Sequence, residues 1–124
     1  MLDLDNFKKV NDSYGHAEGD VVIIALADVL RKVMGEVKGS CSGRWGGEEF
    51  MVLLQNEDVH QAAALAEKVR AEFAGITYKT AVPQTVSIGV TQAKLNEDYD
   101  IVCNRVDKAL YTAKANGKNR IVIL

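Results

Sequence analysis

The stretch Thr85-Val86-Ser87-Ile88-Gly89-Val90-Thr91 constrains the fold most, because small or polar residues and branched aliphatic ones alternate strictly through it. That is the two-residue period of a β-strand, built from β-branched side chains that suit a pleated surface. Three segments with a helical period accompany it. From about Glu18 to Gly35, Val22, Leu26, Val29, Leu30 and Val33 form one apolar stripe. A second helix is expected from about Asp58 to Phe73, with Ala62, Leu65, Ala66, Val69 and Phe73 on one face. Asn56 or Asp58 can cap it, and Gly75 can stop it. A third spans about Asp98 to Ala115, with Val102, Val106, Ala109, Leu110 and Ala113 facing inward, Asn96 as cap and Gly117 as stop. Met1-Leu2-Asp3-Leu4-Asp5 reads as the end of a strand, Asn11–Gly15 as a turn-rich loop, and Ile121–Leu124 as a short, buried strand. Amphipathic helices interleaved with short strands predict an α/β fold, a mixed central β-sheet flanked by helices.

At 124 residues there is room for one core, so residues 1–124 are expected to form a single domain. No apolar run approaches the roughly 18 residues that span a bilayer, and there is no signal-peptide pattern. A net charge of -2 argues against a general nucleic-acid binder, which would carry a basic surface. Cys41 and Cys103 are too few for a disulfide framework and lack metal-ligand spacing. Both are expected to be reduced thiols with packing roles in a cytoplasmic protein.

The chemistry concentrates in Gly46-Gly47-Glu48-Glu49-Phe50. Its flanks, Ser40–Trp45 and Met51–Leu54, read as the strands of a hairpin with the glycines near the tip. Glycine there permits positive φ and lets a ligand approach the backbone. Asp3 and Asp5, two residues apart, share one face of their strand. If that strand neighbours the hairpin, three or four carboxylates converge, and a divalent cation that also binds phosphate relieves their repulsion. Taken singly, each acid would read as a solvated turn residue; the combination points to metal and phosphate chemistry. Lys114 and Lys118, four apart at the end of the third helix, can neutralise phosphate. A solvated basic helix end favoured by the dipole is the alternative. His16 has no partner histidine and is expected to make a structural hydrogen bond. His60, near a helix start, is expected to face solvent.

Together these residues resemble the GGDEF-domain diguanylate cyclases. Asp3-Leu4-Asp5-Asn6-Phe7-Lys8-Lys9-Val10-Asn11-Asp12 is similar to the family's D-x-D-x-F-K-x-x-N-D segment, and Gly15-His16 and Gly19-Asp20 continue it at the expected spacing. Arg44-Trp45-Gly46-Gly47-Glu48-Glu49-Phe50 resembles the family's signature tip. Val86–Val90 resembles its S-I-G-V strand, and the run from Ala109 to Asn119 resembles its A-L-Y-x-A-K-x-x-G-[RK]-N ending.

The resemblance implies a palm-like nucleotidyl cyclase fold. It implies condensation of two GTP into cyclic di-GMP with release of pyrophosphate, for bacterial second-messenger signalling. Each domain would carry one GTP, so a homodimer is implied. It implies Mg²⁺ (or Mn²⁺) held by Asp3, Glu48, Glu49 and the Leu4 carbonyl. Asp3, Glu48 and Glu49 would form the catalytic set, with Glu48 placed to help deprotonate the attacking 3′-hydroxyl. Asn11 and Asp20 would read guanine, since a carboxylate accepts from both the N1–H and the amino group, which adenine cannot match. Relatives that also use ATP tend to carry a smaller neutral residue at the position of Asp20. Lys114, Lys118 and backbone amides near Phe7 and Lys8 would bind the triphosphate, and Gly46 and Gly47 would leave room for the nucleotide. An upstream sensory or receiver domain is implied for longer relatives, with no nucleic-acid or membrane partner for this segment.

Two features depart from the family pattern. Its inhibitory product site uses an R-x-x-D motif ahead of the Gly-Gly pair, whereas Val37-Lys38-Gly39-Ser40 has neither Arg nor Asp. No high-affinity product inhibition is expected there. The family's first helix, with its D-x-L-T-x-L-x-N-R-R-like segment, is absent ahead of Asp3. That predicts an N-terminally truncated domain with part of its sheet bare, oligomeric or swapped, and with reduced activity. The alternative is a non-catalytic GTP- or partner-binding module.

Overall fold

The computed structural model describes residues 1–124. Its elements run β1 (Leu2–Leu4), α1 (Phe7–Tyr14), α2 (His16–Met34), β2 (Cys41–Arg44), β3 (Glu49–Leu53), α3 (Val59–Ala74), β4 (Val86–Val90), α4 (Tyr99–Ala115) and β5 (Ile121–Ile123). The strands form one sheet in the order β2-β3-β1-β4-β5. Neighbours are antiparallel except β4 and β5, which are parallel. A parallel pair needs a long crossover, and α4 supplies it. The mixed sheet with flanking helices expected from the sequence is what forms.

Alternation sorts the two faces of the sheet. Leu2 and Leu4 of β1, Phe50 of β3 and Val86, Ile88 and Val90 of β4 enter a core shared with Val22, Leu26 and Val33 of α2 and Val69 and Phe73 of α3. Phe7 and Val10 of α1 belong to the same cluster. By the two-residue period, Asp3, Ser87 and Gly89 face the opposite side, against α4. A Cβ added at Gly89 would stand 2.5 Å from the Leu110 nitrogen and 2.5 Å from the Val106 oxygen, both main-chain atoms of α4. Glycine therefore sets how closely helix and strand approach. Gly89→Ala is expected to destabilise the protein by about 1–3 kcal/mol through overpacking, measured by denaturant unfolding. An unchanged midpoint would show that α4 is not seated against this strand. Beyond α4 the same face is open: Leu53 is 62% and Trp45 57% exposed, with Met51 half-buried beside them.

Several local readings need correction. Asn11–Gly15 is not a loop, for residues 7–14 form α1, and Gly15 (φ 87) joins it directly to α2. Asn, Asp and Ser favour helices weakly. Phe7 and Val10 are one turn apart and both buried, and their packing overrides that local preference. α1 and α2 touch closely, since a Cβ at Gly19 would lie 2.0 Å from Asn11 Oδ1. β5 forms as expected but is not buried, because it is the edge strand with β4 as its one partner; Ile123 and Leu124 are exposed.

Asp58, not Asn56, caps α3, accepting from the His60 and Gln61 amides at 2.8 and 2.9 Å. Gln61 completes a capping box. Asp98, not Asn96, caps α4 through the Asp100 amide at 2.8 Å. Asn56 and Asn96 instead take left-handed backbone angles, φ 61 and 60. Both cysteines are free, and Cys41 is exposed on β2 rather than packed. His60 faces solvent as expected. No helix is long and apolar enough to cross a membrane.

Candidate functional site

The β1–β3 pairing sets Asp3 directly opposite Glu49, and the Leu4 amide donates to the Glu48 carbonyl at 3.2 Å. The hairpin tip is closed by the Trp45 and Gly46 amides, which donate to the Glu49 carbonyl at 2.8 and 3.3 Å. Arg44 braces it from outside. Its Nε and one terminal nitrogen donate to the Gly47 carbonyl at 2.9 and 2.6 Å, and Nε also reaches the Gly46 carbonyl at 3.2 Å. Sequence reading missed this brace, although a cation two residues before a Gly-Gly pair was a usable signal. Neither Gly46 nor Gly47 has a positive φ. A Cβ at Gly47 would meet nothing within 4 Å, while one at Gly46 would stand 3.1 Å from the Glu49 carboxylate. Clearance from the Glu49 carboxylate, not backbone freedom, is what Gly46 supplies, and open space surrounds Gly47.

Asp3 and Asp5 share a face of the sheet as expected, but they are committed differently. Asp5 is buried and accepts from Thr85 Oγ1 at 2.7 Å, Ser87 Oγ at 2.7 Å and the Asn119 amide at 3.0 Å. Lys114 Nζ stands 3.1 Å from Oδ1, the oxygen that also accepts from Ser87. Four partners fill the acceptor positions of one carboxylate. Burial alone would push the Asp5 carboxyl up, but the bonds from Thr85, Ser87, Asn119 and Lys114 outweigh it and hold the group below its ordinary value. Thr85, Ser87 and Asn119 were not singled out from the sequence. The alternation of the 85–91 strand does place both hydroxyls on one side.

Glu48 is perturbed the other way. Burial pushes its carboxyl up, and the charges of Asp3 and Glu49 add to this, against an opposing pull from Lys114. The expected convergence of three or four carboxylates is not a ready-made cage: no group of three acidic or other ligating side chains stands together. Asp5 is turned inward, and the Lys114 ammonium sits on Asp3 and, at 2.8 Å, on the Leu4 carbonyl. Asp3 and Glu49, paired across their strands, and the Leu4 carbonyl still offer the hard oxygens a divalent cation takes, with Glu48 next along the chain. Mg²⁺ takes one or two carboxylates and completes its shell with water and phosphate oxygens. An ammonium already bound to Asp3 and the Leu4 carbonyl marks the spot as one that accepts positive charge.

Beside the tip is a cavity of about 440 Å³ bordered by Phe7, Lys8, Asn11, Asp20, Gly47 and Glu48. The elbow between α1 and α2 is what brings Asn11 and Asp20 to one wall. His16, Ile23 and Arg44 also border it, and none of these was expected there. His16 makes no side-chain hydrogen bond, contrary to the role expected of it. Lys114 and Lys118 do not border the cavity; they meet the turn between β1 and α1. There Lys118 Nζ donates to Asn6 Oδ1. The Phe7 and Lys8 amides open α1 and so lack intrahelical acceptors.

Residues 1–120 match the family model for the diguanylate cyclase GGDEF domain. The chain belongs to the GGDEF family. Diguanylate cyclase DgcM of Escherichia coli is 43% identical over 122 residues, covering 98% of this GGDEF chain and 29% of its own length. Diguanylate cyclase A of Treponema denticola is 39% identical over 127 residues, covering 99% of this chain and 34% of its own. The chain thus spans about a third of the curated relatives it matches. Its fold superposes on the active GGEEF domain of a Vibrio cholerae diguanylate cyclase with a TM-score of 0.90 at 38% identity, over 98% of this chain and 78% of that one. The GGDEF domain of DgcB from Caulobacter crescentus, in complex with c-di-GMP, also gives 0.90, at 34% identity over 98% of this chain and 74% of that one.

Proposed function

We propose that this chain is the catalytic domain of a diguanylate cyclase, which condenses two GTP into cyclic di-GMP and two pyrophosphates. One observation carries the reading. Asp3 stands opposite Glu49, and Glu48, next to Glu49, borders the cavity that holds Asn11 and Asp20. A pair able to read a base is therefore contiguous with an oxygen set able to hold a cation. The similar Vibrio structure is of an active domain with a GGEEF tip, and residues 46–50 here spell the same tip.

In this reading Asp20 accepts from the guanine N1–H and amino group, and Asn11 supplies a further donor and acceptor. The Phe7 and Lys8 amides at the start of α1 and the Lys118 ammonium take phosphate oxygens, joined by Lys114. Gly46 and Gly47 give the nucleotide clearance. Asp3, Glu48, Glu49 and the Leu4 carbonyl would hold Mg²⁺ or Mn²⁺. Such an ion neutralises triphosphate charge and assists displacement at phosphorus. Glu48, whose carboxyl is pushed up from its ordinary value by burial and by the charges of Asp3 and Glu49, is placed to accept the 3′-hydroxyl proton. The 3′-oxygen then bonds to the α-phosphorus of the other GTP, pyrophosphate departs, and the same exchange in reverse closes the ring. One GTP per domain requires two domains face to face, so residues 1–124 act as one domain of a homodimer in the cytoplasm, where GTP is available. The open Met51, Leu53 and Trp45 surface gives such a domain a place to associate. Val37–Ser40 offers no Arg or Asp for product feedback.

Incubation with GTP and Mg²⁺ is expected to yield cyclic di-GMP by chromatography. GTP binding without product would favour a non-catalytic module instead. Asp20→Ala is expected to weaken GTP about tenfold to a hundredfold, the loss of charged hydrogen bonds worth about 1.5–3 kcal/mol, with ATP binding unreduced. Titration calorimetry with both nucleotides checks it. An equal loss for ATP would take guanine reading away from Asp20.

A further inference from the structure

Lys114 is already engaged by oxygens of its own domain rather than held free for a phosphate. Its Nζ donates to the Asp3 carboxylate and to the Leu4 carbonyl at 2.8 Å, and it stands 3.1 Å from Asp5 Oδ1. An ammonium carries three N–H donors; two are given to Asp3 and the Leu4 carbonyl, and the Asp5 carboxylate pairs with the group as a third oxygen neighbour. Two of the three, Asp3 and the Leu4 carbonyl, are groups proposed above to hold the metal. The third, Asp5, is fixed by Thr85, Ser87 and the Asn119 amide and cannot follow the lysine elsewhere. Lys118 differs: its one side-chain bond is to Asn6 Oδ1, which leaves two donors for an incoming phosphate.

We infer that Lys114 is a tethered stand-in cation, which neutralises Asp3 and the Leu4 carbonyl in the nucleotide-free site and moves to the triphosphate as nucleotide and metal arrive together. Lys114 cannot serve both positions at once. A divalent ion entering alone meets a like charge already bound to its ligands, and the ammonium has nowhere better to go. When the ion enters with a triphosphate, the phosphate oxygens offer the lysine new acceptors, and the exchange conserves its ion pairing. Asp5 is the pivot, because its contact at 3.1 Å does not involve the metal ligands and keeps the ammonium within reach of both positions. The site is thereby protected from binding free metal ions, and loading is biased towards the metal–nucleotide complex. This role rests on the metal assignment proposed above, and the test separates the two.

The measurement is Mn²⁺ affinity of the nucleotide-free protein, by calorimetry or by electron paramagnetic resonance of unbound Mn²⁺. Lys114→Met, which keeps most of the side-chain volume, is expected to bind Mn²⁺ alone about tenfold more tightly or better, since a repelling unit charge beside the ligands is gone. With a non-hydrolysable GTP analogue present, the order is expected to reverse, with the parent protein tighter. Adding Asp3→Asn to Lys114→Met is expected to abolish the gain. Unchanged or weaker Mn²⁺ binding by Lys114→Met, with binding still dependent on Asp3, overturns the stand-in role and leaves the metal site intact. Binding indifferent to Asp3 in both backgrounds overturns the metal assignment itself. If Lys114→Met does not fold, the ammonium resonance of Lys114 in the unaltered protein decides. It is expected to move on adding Mg²⁺ with the GTP analogue, and a resonance that stays put as both bind overturns the inference.

Discussion

Glu49→Gln is expected to lower cyclic di-GMP formation about a thousandfold or more, a rise of about 4 kcal/mol in the barrier, while the melting temperature stays near that of the parent. The two halves of this result come from different atoms of one residue. The Glu49 main chain holds the hairpin, accepting from Trp45 and Gly46, and an amide side chain leaves those bonds alone. The side chain makes no hydrogen bond within the protein; it stands opposite Asp3 and raises the Glu48 carboxyl by repulsion. Exchanging it for a neutral isostere relieves like-charge crowding in the folded state. It also removes a carboxylate from a set that has few to spare, because Asp5 is already fully engaged. Chromatographic turnover and a thermal melt on the same preparation check both halves. Turnover above about a tenth of the parent, a barrier change under about 1.4 kcal/mol, would remove Glu49 from the chemistry.

The parts of this molecule legible in the sequence are those with a period or a motif. The apolar stripes of α2, α3 and α4 and the alternation of β4 repeat often enough to outvote individual residues, and each element forms where expected to within a few positions. The Gly46–Phe50 tip was legible because acids beside glycines between two strand-like runs have few structural uses. What stayed hidden depends on contacts between distant segments. α1 has only Phe7 and Val10 to declare it, and their partners lie on other elements of the core cluster. The burial of β5 depends on its being last in the sheet, which its own apolar run cannot reveal. The division of labour between Asp3 and Asp5 was equally invisible. Both share a strand face, and only the pairing with β4 brings the Ser87 hydroxyl to Asp5, while the pairing with β3 sets Glu49 opposite Asp3. Lys114 was recognised as a charge near phosphate, but its two bonds to β1 and its ion pair with Asp5 follow from α4 crossing the sheet at Gly89.

Asp5→Ala is expected to destabilise the protein by about 3–5 kcal/mol, the range for deleting one member of a buried ion pair. That is a large share of the roughly 5–15 kcal/mol available to a domain. The loss has an identifiable origin. Asp5 joins the Thr85 and Ser87 hydroxyls of the β4 segment, the Asn119 amide ahead of β5 and the Lys114 ammonium of α4 to the end of β1. Without it, four donors in or near the interior lose one shared acceptor, and alanine brings no replacement. Asp5→Asn is expected to fall between, because its amide nitrogen presents hydrogens to donors that need an acceptor. The pH dependence carries the same signature with a definite sign. The folded Asp5 carboxyl lies below its ordinary value of 3.8, so the unfolded chain takes up the proton first as pH falls. The stabilisation is therefore complete at neutral pH and is lost as pH drops from about 4 through the folded value. Urea unfolding of the parent and of Asp5→Ala at pH 7 and near pH 3 reads this directly, with the gap between them narrowing at the acid end. A gap that stays constant with pH would mean that alanine removes packing rather than a buried charge, and that the carboxylate of Asp5 does not tie these four elements together.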